Sequence, residues 1–321
     1  MPLNTLLDAQ RTRNNDVEVG IIQENLAGAP ELGVFPIRQI AGTSYRTLVV
    51  SGQNGGGFRS ANQGVALGKT TYEQRLHECF LYEHDIEIDL AVQLATVGDS
   101  IADIETIEMQ QASLTLMQKM GRQIFYGTAF DAGGFSGLKQ FVPKTAVAGS
   151  SAFFVDATGS TASTASSIYA VRMGLQDVHV VLGGGTALNF GAFMDQQLTD
   201  AAGRKFMGRV AGLTAWAGLQ IGSIESVGRI GNLTAQTGKG ATDALLAQLT
   251  SLFRAGRPPQ AFFMSRRSAF QLAASRPRTS YFTPGAVRAG STVAVTDYTV
   301  SDYQGIPIIV TDQILDTDAI E

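Results

Sequence analysis

Residues 99–142 read DSIADIETIEMQQASLTLMQKMGRQIFYGTAFDAGGFSGLKQFV. Apolar side chains recur at Ile101, Ile104, Ile107, Leu114, Met117 and Ile124, the three-and-four spacing that lays one stripe along a helix. Ser100 is placed to cap the first turn, and Asp103, Glu105 and Glu108 suit the positive end of the helix dipole. Lys119 and Arg122 fall in the last turns, where cations are favoured, and Gly127 follows Phe125 and Tyr126 as a stop. At about 1.5 Å per residue the segment predicts a beam on the order of 40 Å long. Periodicity alone does not separate such a beam from an amphipathic core helix of an ordinary α+β enzyme.

The rest of the chain is organised around this helix. Residues 1–35 are polar and mixed, with breakers at Asn14-Asn15 and Gly28-Ala29-Pro30, and read as an extended arm. Two stretches rich in Thr, Val and Tyr then flank SGQNGGGFRSANQG at 51–64. They predict a long β-hairpin with a polar glycine tip. A two-stranded hairpin is marginal alone in water, so this one is expected to lie on a neighbour. From 84 to 94, Ile86, Ile88 and Leu90 alternate with Asp85, Glu87 and Asp89. This is a half-buried strand feeding the helix, with a helix start near Asp89 as the other reading. A Ser/Thr/Ala/Gly segment at 146–163 reads as a linker. Beyond it the pattern predicts helix at 164–176, strand at 178–182, strand or hairpin at 213–230 and helix at 242–255. A strand at 261–264, a helix at 266–275 and closing strands at 292–300 and 306–310 follow. No internal repeat stands out.

The 321 residues are 44% hydrophobic and only 16% charged, with 36 glycines, a mix suited to a surface covered largely by other protein. The net charge of −4 gives no global pull toward nucleic acid or anionic membrane. A single cysteine, Cys79, excludes an intrachain disulfide and argues against a Cys-ligated zinc site. No apolar run is long enough to span a bilayer, and residues 1–16 lack a signal pattern, so the cytoplasm is the expected compartment.

Charge is segregated along the chain. From Leu76 through Gln118 there is no Lys or Arg, but there are many acids, Glu83, Asp85 and Glu105 among them. From Ala244 through Thr296 there is no Asp or Glu, but Arg254, Arg257, Arg266, Arg267, Arg276, Arg278 and Arg288 are present. Ordinary solvated faces would account for this. The sharper expectation is that acidic and basic regions of different copies meet, since complementary fields fix register. A third reading has the arginines hold nucleic-acid phosphates. Candidate contacts between copies are therefore Glu83, Asp85, Glu105, Arg254, Arg257, Arg266 and Arg267. The hairpin tip adds Gly55, Gly56, Gly57, Phe58 and Arg59.

Catalytic chemistry finds little support. Cys79 has His77 and His84 near in sequence but no indicated oxyanion donors or orienting carboxylate, and reads as a buried core thiol. His77, His84 and His179 lack the spacing of common zinc motifs. Gly183-Gly184-Gly185 after a strand lacks the later glycine of a dinucleotide fingerprint and the lysine of a P-loop, and reads as a tight turn. Glu87 and Asp89 are alternating strand acids. No catalytic, cofactor or metal residues are assigned.

The order of arm, polar-tipped hairpin, acidic-started helix, IFYG at 124–127, GGFSGLKQFV at 133–142 and a mixed half closing with YQGIPIIVTD at 303–312 resembles the major capsid proteins of tailed bacteriophages, whose fold encapsulins share. The resemblance covers nearly the whole chain and rests on order rather than on any one motif. It implies an α+β capsid fold: N-terminal arm at 1–35, E-loop hairpin at 36–82, P-domain with its spine helix at 83–150, A-domain at 151–300, and a strand region at 301–321 returning toward the P-domain. It implies a structural protein, not an enzyme, assembling with itself as hexamers and pentamers of an icosahedral shell around double-stranded DNA. Portal and scaffolding or decoration proteins are further implied partners, and no cofactor or membrane is. The implied location is the virion, with assembly in the host cytoplasm. An encapsulin-like compartment and, less well, a soluble α/β nucleotide-binding enzyme are the alternatives. Some relatives carry a scaffolding segment before the hairpin, which these 35 residues do not match. Some cross-link a hairpin lysine, but Lys69 has no accompanying acid pattern, and that chemistry is not carried over.

Overall fold

A computed structural model describes residues 28–65, 68–96, 104–145, 150–185, 188–276 and 301–321. In chain order the elements are α1 (Glu31–Val34), β1 (Ile37–Gln39), β2 (Ser44–Gly52), β3 (Thr71–Glu78), β4 (Phe80–Asp89), α2 (Leu90–Thr96), α3 (Ile104–Tyr126) and α4 (Leu138–Phe141). Then come β5 (Phe154–Asp156), β6 (Ser166–Val171), β7 (Val178–Leu182), β8 (Asn189–Phe190), β9 (Met194–Thr199), β10 (Lys205–Ile221) and β11 (Val227–Leu233). The chain closes with α5 (Asp243–Ser251), β12 (Ala261–Met264), α6 (Arg266–Ser275), β13 (Asp302–Tyr303) and β14 (Ile306–Val310).

Two six-stranded sheets share the long helix. The first runs β1-β7-β10-β4, with β8 and β9 also on β10. The 17-residue β10 organises it, pairing antiparallel with β4 along one edge and with β9, β8 and β7 in turn along the other. The second runs β13-β14-β12-β6-β11-β5. Its central strands are buried on both faces, and their alternation divides the core. Tyr169 and Val171 of β6 and Phe263 of β12 point into one cluster with Ile124, Phe125 and Leu138. Ile168, Ala170 and Phe262 point into a second with Leu246, Leu249 and Leu272 of α5 and α6.

Helix α3 joins the two sheets. Its early turns lie on β4 and β10, where Ile104, Ala112 and Leu116 meet Ile86, Ile88 and Leu213. Its end drives Ile124, Phe125 and Tyr126 under the second sheet. The stop is enforced sterically: Gly127 has φ +59°, and a Cβ there would overlap the Gly137 amide.

Three expectations need correction or trimming. The 164–176 segment is strand β6 rather than helix, because its Ile, Tyr and Val suit a pleated central position and tertiary burial overrides the helix-like spacing of its small residues. The long helix presents Ile104, Ala112, Leu116 and Ile124 inward in multiples of four residues, so the buried face is rotated from the expected stripe: Met117 is exposed and Leu114 only half-buried. The second-half strand region is longer than read, since β10 begins at Lys205 and the 213–230 window spans parts of two strands. Ile101, Ser100, Asp103, Arg278, Arg288, most of the 1–35 arm and the 292–300 strand lie outside the described residues.

Candidate inter-subunit surface

Strands β2 and β3 form a sheet of their own, paired from Ser44↔Glu78 to Gly52↔Thr71 with a register shift after Val50. Directly opposed residues share a face. One face, Tyr45, Thr47, Val49, Arg75 and His77, is half-buried against the body. There the Tyr45 hydroxyl donates to Gln220 Oε1 and lies 3.4 Å from His179 Nε2, and Arg75 Nη1 donates to the Gly222 carbonyl at 3.2 Å. Burial pushes the Tyr45 hydroxyl up to about 12, and burial with neighbouring positive charge holds His77 below the usual histidine value. His77 is bonded to Thr47 Oγ1 at 2.9 Å.

The other face points to solvent although it is the apolar one. It carries Leu48 (63% exposed), Val50, Tyr72 (60%) and Leu76, with Arg46 and Gln74 between them. Hairpins of soluble monomers normally place the polar face outward. Among the described residues this inversion leaves a contiguous apolar strip without a partner, the signature of a protein contact. Sequence reading identified the hairpin and its tip but missed Leu48, Val50, Tyr72 and Leu76. Their common face appears only once the strand register is known.

At the tip, Gly55, Gly56, Gly57, Phe58 and Arg59 are all exposed, and Arg59 Nη1 donates to the Gln63 carbonyl at 3.0 Å. Glu83 and Asp85 stand with Glu87 on the exposed face of β4, opposite the face covered by α3. Glu105 is apart from them, on α3, paired within the chain to Arg209 at 2.5 Å. The arginines are also divided. Arg254 pairs with Glu225 at 2.6 Å and Arg257 with Asp177 at 2.5 Å. Both line a groove of about 650 Å³ beneath the hairpin, bounded by Thr47, Val49 and Gly222. Arg267 donates to the Thr164 and Leu233 carbonyls and approaches Asp316 at 3.4 Å. Arg266, at the start of α6, is exposed. The two charge blocks therefore do not form two uniform surfaces.

Other sequence candidates are occupied by structure. The Gly183, Gly184 and Gly185 amides donate to the carbonyls of Trp216, Gly42 and Ile40, so this turn presents no set of free donors to a phosphate. Cys79 is buried, and burial raises its thiol pKa. His179 is bonded to the Gly174 carbonyl at 3.2 Å. Among the described residues no three His, Cys, Asp or Glu side chains are grouped to hold a metal ion, and no helix is long and apolar enough to cross a membrane.

Known proteins place this geometry in context. The chain is similar in fold to a chain of bacteriophage Epsilon15, with a TM-score of 0.71 at 16% identity over 99% of this chain and 97% of that one. Weaker likenesses are to the SrpI encapsulin of Synechococcus elongatus PCC 7942 (TM-score 0.48, 8% identity, 74% and 98% covered) and to the capsid of Myoviridae Phage XM1 (TM-score 0.45, 14% identity, 68% and 97% covered). No curated protein matches the sequence. The model of the family described as Major capsid protein GP7 matches residues 38–320. With nearly the whole length matched and the α+β capsid fold in place, the chain belongs to the Major capsid protein GP7 family and is a structural protein of the tailed-bacteriophage capsid.

Proposed function

We propose that copies of this chain assemble as hexamers and pentamers of an icosahedral shell enclosing double-stranded DNA, and that the 44–78 hairpin is the arm by which each copy holds its neighbour. The observation that carries the reading is the outward apolar face of Leu48, Val50, Tyr72 and Leu76 on a two-stranded sheet that would be marginal in isolation. In this reading 36–82 is the E-loop, 83–150 the P-domain with α3 as its spine, 151–300 the A-domain, and 301–321 a return segment. Strand β14 joins the second sheet through β12, and Ile314 packs with Tyr126 at the end of α3, which supports that last assignment. Portal, scaffolding and decoration proteins are the further partners, and the virion is the location.

Exposed charge pairs between copies contribute about 0–1 kcal/mol each. Their role is to set register and make assembly salt-sensitive, since screening lengths fall to roughly 3 Å at 1 M salt. Arg266, Glu83 and Asp85, all exposed, are the members of the two blocks best placed for this.

Deleting Gln53 to Asn62 tests the arm. The variant is expected to remain a folded subunit that assembles poorly, and shells of normal stability would refute the hairpin's role. Nuclease treatment of opened particles tests the contents. Recovered nucleic acid supports genome packaging, while protein cargo alone supports the encapsulin-like alternative.

A further inference from the structure

We propose that a cavity beside the middle of α3 receives Phe58 from the hairpin tip of a second copy. The proposal rests on the reading of the hairpin as an arm and names the site that takes its tip. The cavity holds about 270 Å³ and is walled by Phe80, Tyr82, Met120, Phe130 and Phe135, with Gln123 at its side. Four of these are aromatic, a lining suited to another ring packed edge-to-face or offset.

Gln123 braces one side of the cavity. It is 5% exposed, and its amide nitrogen donates to the Phe135 carbonyl at 2.8 Å and the Asp131 carbonyl at 3.3 Å. Those two acceptors fix which end of the amide is nitrogen. Oε1 is buried in the wall itself, without a hydrogen-bond partner among the described residues.

The tip fits these requirements. Phe58 is fully exposed, so it does not fill this cavity in its own chain. It follows three glycines whose Cβ positions meet almost nothing, Gly55, Gly56 and Gly57, so the backbone there can approach closely. Arg59 comes next, and the cavity lining includes Asp131, giving a cation on the tip and a carboxylate at the receiving site. Lys119 lies over the Tyr82 ring at 5.7 Å and completes that wall. A buried aromatic anchor seated in a pocket and flanked by a charge pair is the common form of an interface hot spot.

The test uses the full chain with Phe58→p-benzoylphenylalanine, irradiated in assembled particles and read by denaturing gel and peptide mass spectrometry. The expected product runs at dimer mass and links residue 58 to the 80–83 or 119–135 segment of a second copy. A link at monomer mass, or one mapped to another surface, overturns the site. Phe58→Ala is the companion variant. It is expected to raise the protein concentration needed for assembly by about tenfold or more, with Phe58→Tyr near the unmodified protein. Unchanged assembly of Phe58→Ala also overturns the proposal. If deletion of Gln53 to Asn62 blocks assembly while residue 58 links elsewhere, the arm stands and this receiving site falls. If the deletion assembles normally, the arm itself is wrong.

Discussion

Arg229 grips Glu321 through two parallel bonds, Nη1 to Oε2 at 2.8 Å and Nη2 to Oε1 at 2.7 Å, from a side chain that is 2% exposed. Its remaining donors go to Ser167 Oγ at 3.1 Å and the Val142 carbonyl at 3.3 Å, and the guanidinium lies over Phe154 and Tyr169. Burial alone would lower the arginine's pKa, but Tyr169, Glu321 and Asp318 outweigh it and raise it. The pair fastens the 318–321 segment to β11 and, through Lys139 on Asp318 at 2.8 Å, to α4. Arg229→Met is expected to cost roughly 2–3 kcal/mol in denaturant unfolding of the subunit, less than the loss for a fully buried pair because Glu321 keeps some exposure. A change under 0.5 kcal/mol would show that the clamp is dispensable.

Three carboxyl groups give the fold a pH dependence of mixed sign. For Glu321, burial acts upward, but the bonds and charges of Arg229 and Lys139 prevail and hold the group below the ordinary 4.5. Asp156 is likewise held below its ordinary 3.8, against burial, by Lys144, Asn232 and the Thr158 amide. Their stabilisation is present above those ordinary values and is lost as pH falls through the depressed ones, so Glu321→Gln should flatten acid unfolding below about pH 4.5. Glu31 behaves oppositely. It is fully buried, burial raises its pKa, and Oε1 has no partner although Thr311 donates to Oε2 at 2.7 Å. Above 4.5 the unfolded chain ionises where the fold resists, so stability is lost as pH rises toward the folded value. Glu31→Gln should therefore raise the neutral-pH Tm, by about 2–4 °C for each kcal/mol recovered. A lowered Tm would show that the ionised form is stabilised.

The long helix was legible in the sequence but its rotation was not. Ala112 and Gly121 are buried and carry no hydrophobic signal strong enough to mark the face, while Met117 fits the apolar spacing and points outward. Leu116→Asp (5% exposed) should unfold the subunit by burying an unpaired carboxylate, at several kcal/mol. Met117→Asp (47% exposed) should stay within about 1 kcal/mol of the parent. Equal tolerance of the two in thermal melts would mean the helix is turned differently.

Hairpin existence was equally plain from the glycine tip and its flanking strands, but which face looks outward depended on pairing that links residues about 30 apart. Replacing Leu48 and Tyr72 together by Glu is expected to leave subunit melting within about 0.5 kcal/mol, since neither is buried in the chain, and to block shell formation. Shells of normal yield would remove the outward strip from the contact surface.

Charge segregation was visible in the sequence, but the partners were not, because ion pairs form across the fold rather than along the chain. Arg267 is tied to the Thr164 and Leu233 carbonyls, so reversing it would disturb the subunit itself. Arg266→Glu is the cleaner variant. It should leave folding intact and impair empty-shell assembly if the residue meets another copy. Normal empty shells with poor genome retention would assign it to DNA instead.

A subunit that lends its hairpin to a neighbour builds a closed shell of interlocked copies. Electron cryomicroscopy of particles formed by the 321-residue chain is the decisive measurement. Closed shells with sixfold and fivefold capsomers are expected, in which the Leu48–Tyr72 face of each hairpin is covered by an adjacent copy. Dispersed 34.0 kDa subunits under every assembly condition, or shells whose hairpins fold back on their own chain, would contradict it.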